Sequence, residues 1–157
     1  GAPYPNRVHY LSLLDKDAIR IYGEEWDRCN HPGTIVGNRR VTDREAQAVY
    51  RESAVNLNLH SSIAAKDFGA GDFVNPRTFE LAGLGCFQIA DMRSLLPLHF
   101  HPADEVVGVR SWPDMLEAVA YYRSAPAERE AVAAKARRRV LAEHTYQHRA
   151  LHILDDD

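Results

Sequence analysis

A helix start that carries charged side chains lies between residues 72 and 80. Pro76 suits the first position of a helix, so the sequence predicts a helix from Arg77 to Leu84. Its unpaired N–H groups and positive dipole end suit a phosphate, and Arg77 adds a planar set of donors. Glu80 lies three residues further on the same helix face, where a carboxylate accepts hydrogen bonds from a ribose diol. The pattern therefore indicates a nucleotide site.

The same two residues also have an interpretation that needs no ligand. Arg77 and Glu80 would then form a surface ion pair, or Glu80 would act as a dipole or capping partner at the helix start. Residue types alone leave both interpretations open. A glycine-rich loop from His60 to Asn75 joins this helix to the preceding strand, so the candidate site lies at the carboxyl end of a strand, where α/β folds bind ligands.

Short runs rich in strand-forming residues alternate with longer amphipathic runs, which is typical of an α/β fold with a parallel sheet. A capping-box pattern at Thr42 and Glu45 marks one helix start. A doubly wound sheet normally opens with a strand, and we expect that strand to be missing here or to lie before residue 1. The prediction is a Rossmann-like three-layer α/β/α domain with a mostly parallel sheet. Predicted strands cover residues 19–22, 34–37, 54–59, 86–90 and 105–109, and predicted helices cover 7–14, 43–52, 77–84, 111–124, 126–144 and 145–154.

Length and composition set limits on the class of protein. The 157 residues fit one domain, and 45% hydrophobic and 26% charged residues are typical of a globular protein. The net charge of −3 and the pI of about 6.2 favour neither nucleic acid nor an anionic membrane. Cys29 and Cys86 lack the spacing of a zinc site or a disulfide framework, which predicts a reducing, cytoplasmic location. No apolar run approaches the roughly 20 residues of a membrane span.

Further candidates lie near other strand ends. Tyr22 and Trp26 follow the first predicted strand and could stack on a nucleobase, although a core aromatic is the other interpretation. His60 could touch the sugar or phosphate, or could be a hydrogen-bonded loop histidine. Asn56 and Asn58 alternate with apolar residues in a strand, where asparagine is a poor former, and we expect them to anchor neighbouring loops.

Two other groups of side chains have simpler interpretations. His99 and His101 form an H-x-H pattern, but without a third ligand we expect an exposed loop rather than a metal site. A basic cluster in the last third of the chain is expected to be a solvated helix face. It consists of Lys135, Arg137, Arg138 and Arg139.

Two runs, 55–60 and 75–88, resemble the CgeB-like glycosyltransferases of the GT-B superfamily. The first reads Val-Asn-Leu-Asn-Leu-His, and the second opens with Asn-Pro-Arg-Thr-Phe-Glu. Residues 1–7, 19–26 and 137–146 resemble the first loop, the second strand and the closing helices of that family. The resemblance covers nearly the whole chain. It implies the C-terminal, donor-binding domain of a two-domain enzyme.

The resemblance implies a site for a nucleoside-diphosphate sugar. Glu80 corresponds to the acid that holds the ribose hydroxyls, and Asp72 to the first acid of an E-x7-E pattern that contacts the sugar. Arg77, Arg7 and the backbone from Asn75 to Thr78 would approach the diphosphate. No metal or other cofactor is expected. The implied donor-binding residues are Arg7, His60, Asp72, Asn75, Arg77, Thr78, Phe79 and Glu80.

In such enzymes the acceptor binds an N-terminal domain. The resemblance therefore implies that residues 1–157 form the donor domain, and that an N-terminal acceptor-binding domain or chain is the partner that supplies the catalytic base. We expect this chain to bind the donor, with weak or no transfer on its own. One alternative is a non-catalytic nucleotide or nucleotide-sugar module on the same fold. Another is a response-regulator-like module. Such a module has acidic residues at the ends of its early strands, and the Tyr22-Gly23 and Leu59-His60 pairs found there disfavour it.

Overall fold

The computed structural model describes residues 1–15, 17, 19–29, 34–68 and 71–155. The expected alternation of strands and helices is confirmed. No helix in these ranges combines the length and apolar character needed to cross a bilayer.

The elements in chain order are α1 (Pro5–Leu11), β1 (Arg20–Ile21), a 3₁₀ turn (Trp26–Arg28), β2 (Thr34–Ile35), α2 (Asp43–Glu52), β3 (Asn56–Asn58), α3 (Pro76–Gly83), β4 (Gln88–Asp91), α4 (Leu96–His99), β5 (Val107–Val109), α5 (Trp112–Ser124), α6 (Pro126–Glu143) and α7 (Tyr146–Asp155).

Every strand pair in the described residues is parallel. β3, β4 and β5 form one sheet in that order, and β1 and β2 form a second, two-stranded sheet. A parallel pair requires a crossover connection, and α3 supplies the crossover between β3 and β4. The carboxyl ends of these strands therefore lie at one edge, next to the start of α3. The mixed α/β fold predicted from the sequence is confirmed.

The three-stranded sheet separates two clusters of buried apolar side chains. Successive residues of a strand point to opposite faces, and the neighbours Ile89 and Ala90 in β4 belong to different clusters. Ile89 packs in the cluster that contains Trp112 and Met115, whereas Ala90 packs in the one that contains Phe100. Helices therefore cover both faces of the sheet, which is the layered arrangement of a Rossmann-like fold.

Several element boundaries differ from the sequence prediction. α1 begins at Pro5 rather than Arg7, because proline fits the first helical position without losing a hydrogen bond. β5 begins at Val107 rather than Glu105, because the backbone before it forms a turn around the His101 carbonyl. α4 was not predicted at all, since a four-residue helix is too short to show a helical period.

α3 ends in a Schellman motif centred on Gly85. The N–H of Gly85 donates to Ala82 O and the N–H of Cys86 donates to Leu81 O, both at 2.9 Å. Gly85 has φ +70°, in the left-handed region that favours glycine. The glycine predicted from the sequence to stop this helix therefore does so, and it sends the chain directly into β4.

We expect Gly85→Ala to lower the free energy of unfolding by about 1–2 kcal/mol, because alanine at a left-handed φ is strained. An added Cβ would also lie 3.3 Å from Arg137 Cδ. Gly83→Ala is the matched control, because Gly83 is helical and its added Cβ would lie 3.6 Å from Val140 Cγ1, an ordinary contact. Urea unfolding should show G83A at or above the wild-type stability. A G85A protein as stable as G83A would contradict this account.

Candidate functional site

An open cleft of about 1200 Å³ lies beside the carboxyl ends of β1 and β3. It is lined by residues that the sequence analysis selected from three separate segments: the start of α1, the loop after β1 and the first turns of α3. The fold thus brings six of the ten predicted site residues to one place. These cleft-lining candidates are Arg7, Tyr22, Trp26, Arg77, Phe79 and Glu80.

Two guanidinium groups give one end of the cleft a local positive charge, whereas acids such as Asp43 and Glu52 line other parts of it. Arg7 is held at the end of β3, where Nε and Nη2 donate to Leu59 O at 3.2 and 2.8 Å. Burial, and then the neighbouring Arg77 guanidinium, lower the pKa of Arg7. Arg77 Nε is buried, and within the described residues no acceptor lies within hydrogen-bonding distance of it. Neither Arg7 nor Arg77 forms an ion pair among the described residues, so their guanidinium charges favour an anionic ligand.

Gly1 lies at the same place. A side chain there would begin 3.1 Å from Arg7 Nη1 and 3.7 Å from Arg77 Nη1. The Gly1 amino group donates to Tyr22 O at 2.6 Å. Burial, followed by the charges of Arg77 and Arg7, lowers the pKa of this amino group to about 6. The electrostatic part of this pKa shift, which is smaller than the effect of burial, reflects the charges of the two arginines.

The two aromatic candidates differ in their surroundings. Trp26 is 2% exposed and its indole N–H donates to Gly1 O at 2.6 Å, so it is a packed aromatic in this structure. Tyr22 is half-buried and lines the cleft. Of the two, Tyr22 is the more exposed.

The carboxylate of Glu80 is exposed and lines the same cleft. Among the described side chains no ion pair joins it to Arg77, so the surface-pair interpretation does not describe this structure. Nor does Glu80 cap α3, because the N-cap is Asn75, whose Oδ1 accepts the Thr78 N–H at 3.1 Å. Glu80 and Arg77 are thus both available to a ligand.

A buried network of amide side chains fixes the start of α3. Asn58 in β3 accepts a hydrogen bond from Asn75 Nδ2 at 3.0 Å, and its own Nδ2 donates to Thr78 Oγ1 at 3.0 Å and Gln88 Oε1 at 3.1 Å. Gln88 in turn donates to Thr78 O at 2.9 Å. The predicted anchoring role of Asn58 is confirmed.

This network changes how α3 could meet an anion. The side chains of Asn75 and Thr78 are engaged inside the protein, and Pro76 has no N–H. The Oδ1 atom of Asn75 therefore occupies the backbone N–H of Thr78, which was one of the donors predicted to approach the diphosphate. The guanidinium groups of Arg7 and Arg77, rather than the helix terminus, are the main donors that face the cleft.

His60 lies behind the cleft rather than in it. It is 4% exposed, and both its Nδ1 and its backbone N–H lie within hydrogen-bonding distance of Asp91 Oδ1, at 2.8 and 2.9 Å. Its Nε2 accepts the backbone N–H of Asn75 at 3.0 Å. The loop-histidine interpretation therefore describes His60 in this structure, with both ring nitrogens engaged inside the chain.

Asp91 and Arg93 belong to the same network, and the sequence analysis missed both. Arg93 Nη2 donates to Asp91 Oδ2 at 2.7 Å, and both side chains are buried. Burial opposes ionisation of Asp91, but hydrogen bonds from His60 and the Arg93 charge outweigh it and hold the Asp91 pKa below its ordinary value. An acid at the end of the buried run 86–90 was the signal that could have identified it.

A second depression, of about 870 Å³, lies on the other side of Phe79. Asp72 is exposed and lines this depression, whereas Glu80 lines the cleft. The structure therefore does not bring the two acids of the E-x7-E pattern into one pocket. Phe79 borders both spaces.

The H-x-H histidines do not behave alike. His99 ends α4 and packs on Phe79 and His144, with ring centroids 5.4 and 5.3 Å apart, so the expected exposed loop is wrong for this residue. Burial and the charges of His144 and Arg149 lower its pKa. His101 is exposed, as expected. In the part of the chain that the structure describes, no three potential metal ligands come together.

The cleft lies at the carboxyl ends of parallel strands, which is where α/β folds bind ligands. Residues 7–155 match the glycosyl transferase-like family, and the chain belongs to it. The spore protein CgeB of Bacillus subtilis strain 168 is 25% identical over 151 residues, a match that covers 85% of this chain and 45% of that protein. The chain thus spans less than half the length of this relative. No solved structure matches the chain.

The Asp91 carboxylate should make stability depend on pH. Its pKa lies below the ordinary value of 3.8, so its contribution is complete above that value and is lost as the pH falls through the lowered pKa. Asp91→Asn leaves buried Arg93 without its ionic partner, and we expect the free energy of unfolding to fall by about 3–5 kcal/mol at neutral pH. The difference in the free energy of unfolding between D91N and the wild type should become smaller in acid, because the wild-type carboxylate then loses its charge.

Urea unfolding from neutral pH to about pH 2 measures this dependence. Asp27→Asn, which changes an exposed acid of the 3₁₀ turn, is the control and should track the wild type. A D91N deficit that stays constant across the whole pH range would contradict the assignment.

Proposed function

We propose that this chain binds the nucleoside-diphosphate part of an activated sugar in the cleft, as the donor domain of a glycosyltransferase. The observation that carries the proposal is the pair of guanidinium groups, Arg7 and Arg77, which line the cleft and form no ion pair among the described residues. Two cations without an acidic partner between them need a counter-charge, and a diphosphate supplies it. Membership of the glycosyl transferase-like family supports this choice of ligand.

Each cleft residue then has a separate role. Arg7 and Arg77 bind the diphosphate, Glu80 accepts hydrogen bonds from the ribose diol, and Tyr22 lies against the base. The free Glu80 carboxylate supports the second assignment, because an acid beside an anionic ligand needs hydroxyl donors to offset the repulsion. Asp72 lines the depression beyond Phe79 and has no role in this proposal.

The reaction we propose is a displacement at the anomeric carbon. The bond from that carbon to the diphosphate oxygen breaks, a bond to an acceptor hydroxyl forms, and the hydroxyl proton passes to a base. Arg7 and Arg77 stabilise the negative charge that grows on the departing diphosphate. The base and the acceptor site belong to a partner domain or chain in this proposal, and no metal is required for the charge stabilisation.

A second candidate is binding without transfer. The cleft holds groups that suit a nucleotide, and the chain matches 45% of its relative's length. A module that senses a nucleotide sugar would use the same contacts. The two candidates differ in what happens to the donor. Release of free nucleoside diphosphate in the presence of the partner domain distinguishes them, because a transferase releases the diphosphate and a sensor does not.

Calorimetric titration with UDP-, GDP- and dTDP-sugars tests the proposed site. We expect at least one donor to bind, and Arg77→Ala and Glu80→Ala each to weaken its affinity by about ten- to a hundredfold, because each removes a charged hydrogen bond to the ligand. Raising the salt concentration should weaken binding to the wild type more than to R77A.

The matched controls are Arg138→Ala and Glu117→Ala, which remove an exposed charge of the same type from α6 and α5. Both should bind as the wild type does. A donor that binds with equal affinity to R77A and R138A would place the ligand elsewhere and remove the basis of the proposal.

A further inference from the structure

The turn that starts α3 is held by a hydrogen bond from outside the helix. Asn75 is the N-cap residue, so its backbone N–H has no partner within the helix. That N–H donates to His60 Nε2 at 3.0 Å. The imidazole is almost completely buried, so a side chain rather than solvent provides the acceptor for this backbone N–H.

The surroundings of the ring specify one tautomer. His60 Nδ1 lies 2.8 Å from Asp91 Oδ1, and an ionised carboxylate only accepts hydrogen bonds. Arg93 keeps Asp91 ionised from the other oxygen. The ring proton must therefore be on Nδ1, which leaves the lone pair of Nε2 to accept the N–H of Asn75.

We propose that His60 is a positioning residue of the cleft: held by Asp91 as the neutral Nδ1–H tautomer, it fixes Asn75 and thereby the turn from which α3 presents Arg77 and Glu80. This inference rests on the proposed donor site for its effect on binding. Its structural part, the hydrogen bond between Asn75 and His60, stands independently of the ligand. His60 then touches no substrate and acts through the backbone of Asn75.

Two substitutions separate the two hydrogen bonds of the ring. The side-chain amide of glutamine reaches about as far as Nε2, so His60→Gln keeps an acceptor for Asn75 but not the donor to Asp91. The shorter asparagine reaches only as far as Nδ1, so His60→Asn keeps the donor to Asp91 but has no acceptor near Asn75. Both variants lose the ring contact with Phe73, whose centroid lies 5.7 Å away.

Nitrogen NMR of the wild-type ring should show a protonated Nδ1 and an unprotonated Nε2. The amide proton of Asn75 should exchange slowly in the wild type and in H60Q, and about tenfold faster in H60N. The affinity for inorganic pyrophosphate, used as the probe of the arginine pair, should follow the same order, with H60Q near wild type and H60N about five- to tenfold weaker.

A proton on Nε2, or equal Asn75 exchange in H60N and H60Q, would overturn the proposal. Pyrophosphate affinity that is unchanged in H60N despite fast Asn75 exchange would also overturn it, because the turn would then not control the cleft. Failure of the proposed function looks different: neither pyrophosphate nor any nucleotide sugar binds the wild type, while the ring tautomer and the exchange pattern stay as predicted.

Discussion

The position of Asn75 is the constraint on which the cleft depends. Its backbone N–H is bound by His60, its Nδ2 donates to Asn58 and its Oδ1 caps Thr78. All of these partners are buried side chains or helix backbone, so the turn has little freedom to move. The helix that follows carries Arg77 and Glu80 at fixed positions relative to the sheet. A binding site on a helix is accurate only when the start of that helix is fixed.

Arg7 and Arg77 lie close together at one end of the cleft, and we propose that an anionic ligand offsets their repulsion. Arg7 is fixed by the Leu59 carbonyl beside Arg77, and after burial the Arg77 charge is the next cause that lowers the pKa of Arg7. Asp91, the buried acid near them, is already paired with Arg93. Among the described residues, no ion pair therefore neutralises the charges of Arg7 and Arg77. We propose that the fold accepts this cost because the cleft binds an anion, as functional sites commonly depart from the most stable arrangement.

Much of the fold was predictable because α/β patterns are local. The capping box at Thr42, the proline start of α3 and the glycine after it each specify a boundary through the chemistry of one or two residues. The candidate site was predicted in part: Arg77 and Glu80 followed from a helix start. The buried partners did not, because a polar residue within an apolar run, such as Gln88 or Asp91, shows its partners only after distant strands pair. For the same reason the sequence assigned Asn75 and Thr78 to a ligand, whereas their side chains bind the chain itself.

A crystal structure of the chain with UDP, GDP or dTDP bound tests the central claim most directly. The account predicts the phosphate oxygens within hydrogen-bonding distance of both the Arg7 and the Arg77 guanidinium groups, with the ribose hydroxyls at Glu80. A nucleotide bound in the depression beyond Phe79, with the arginine pair unoccupied, would contradict it.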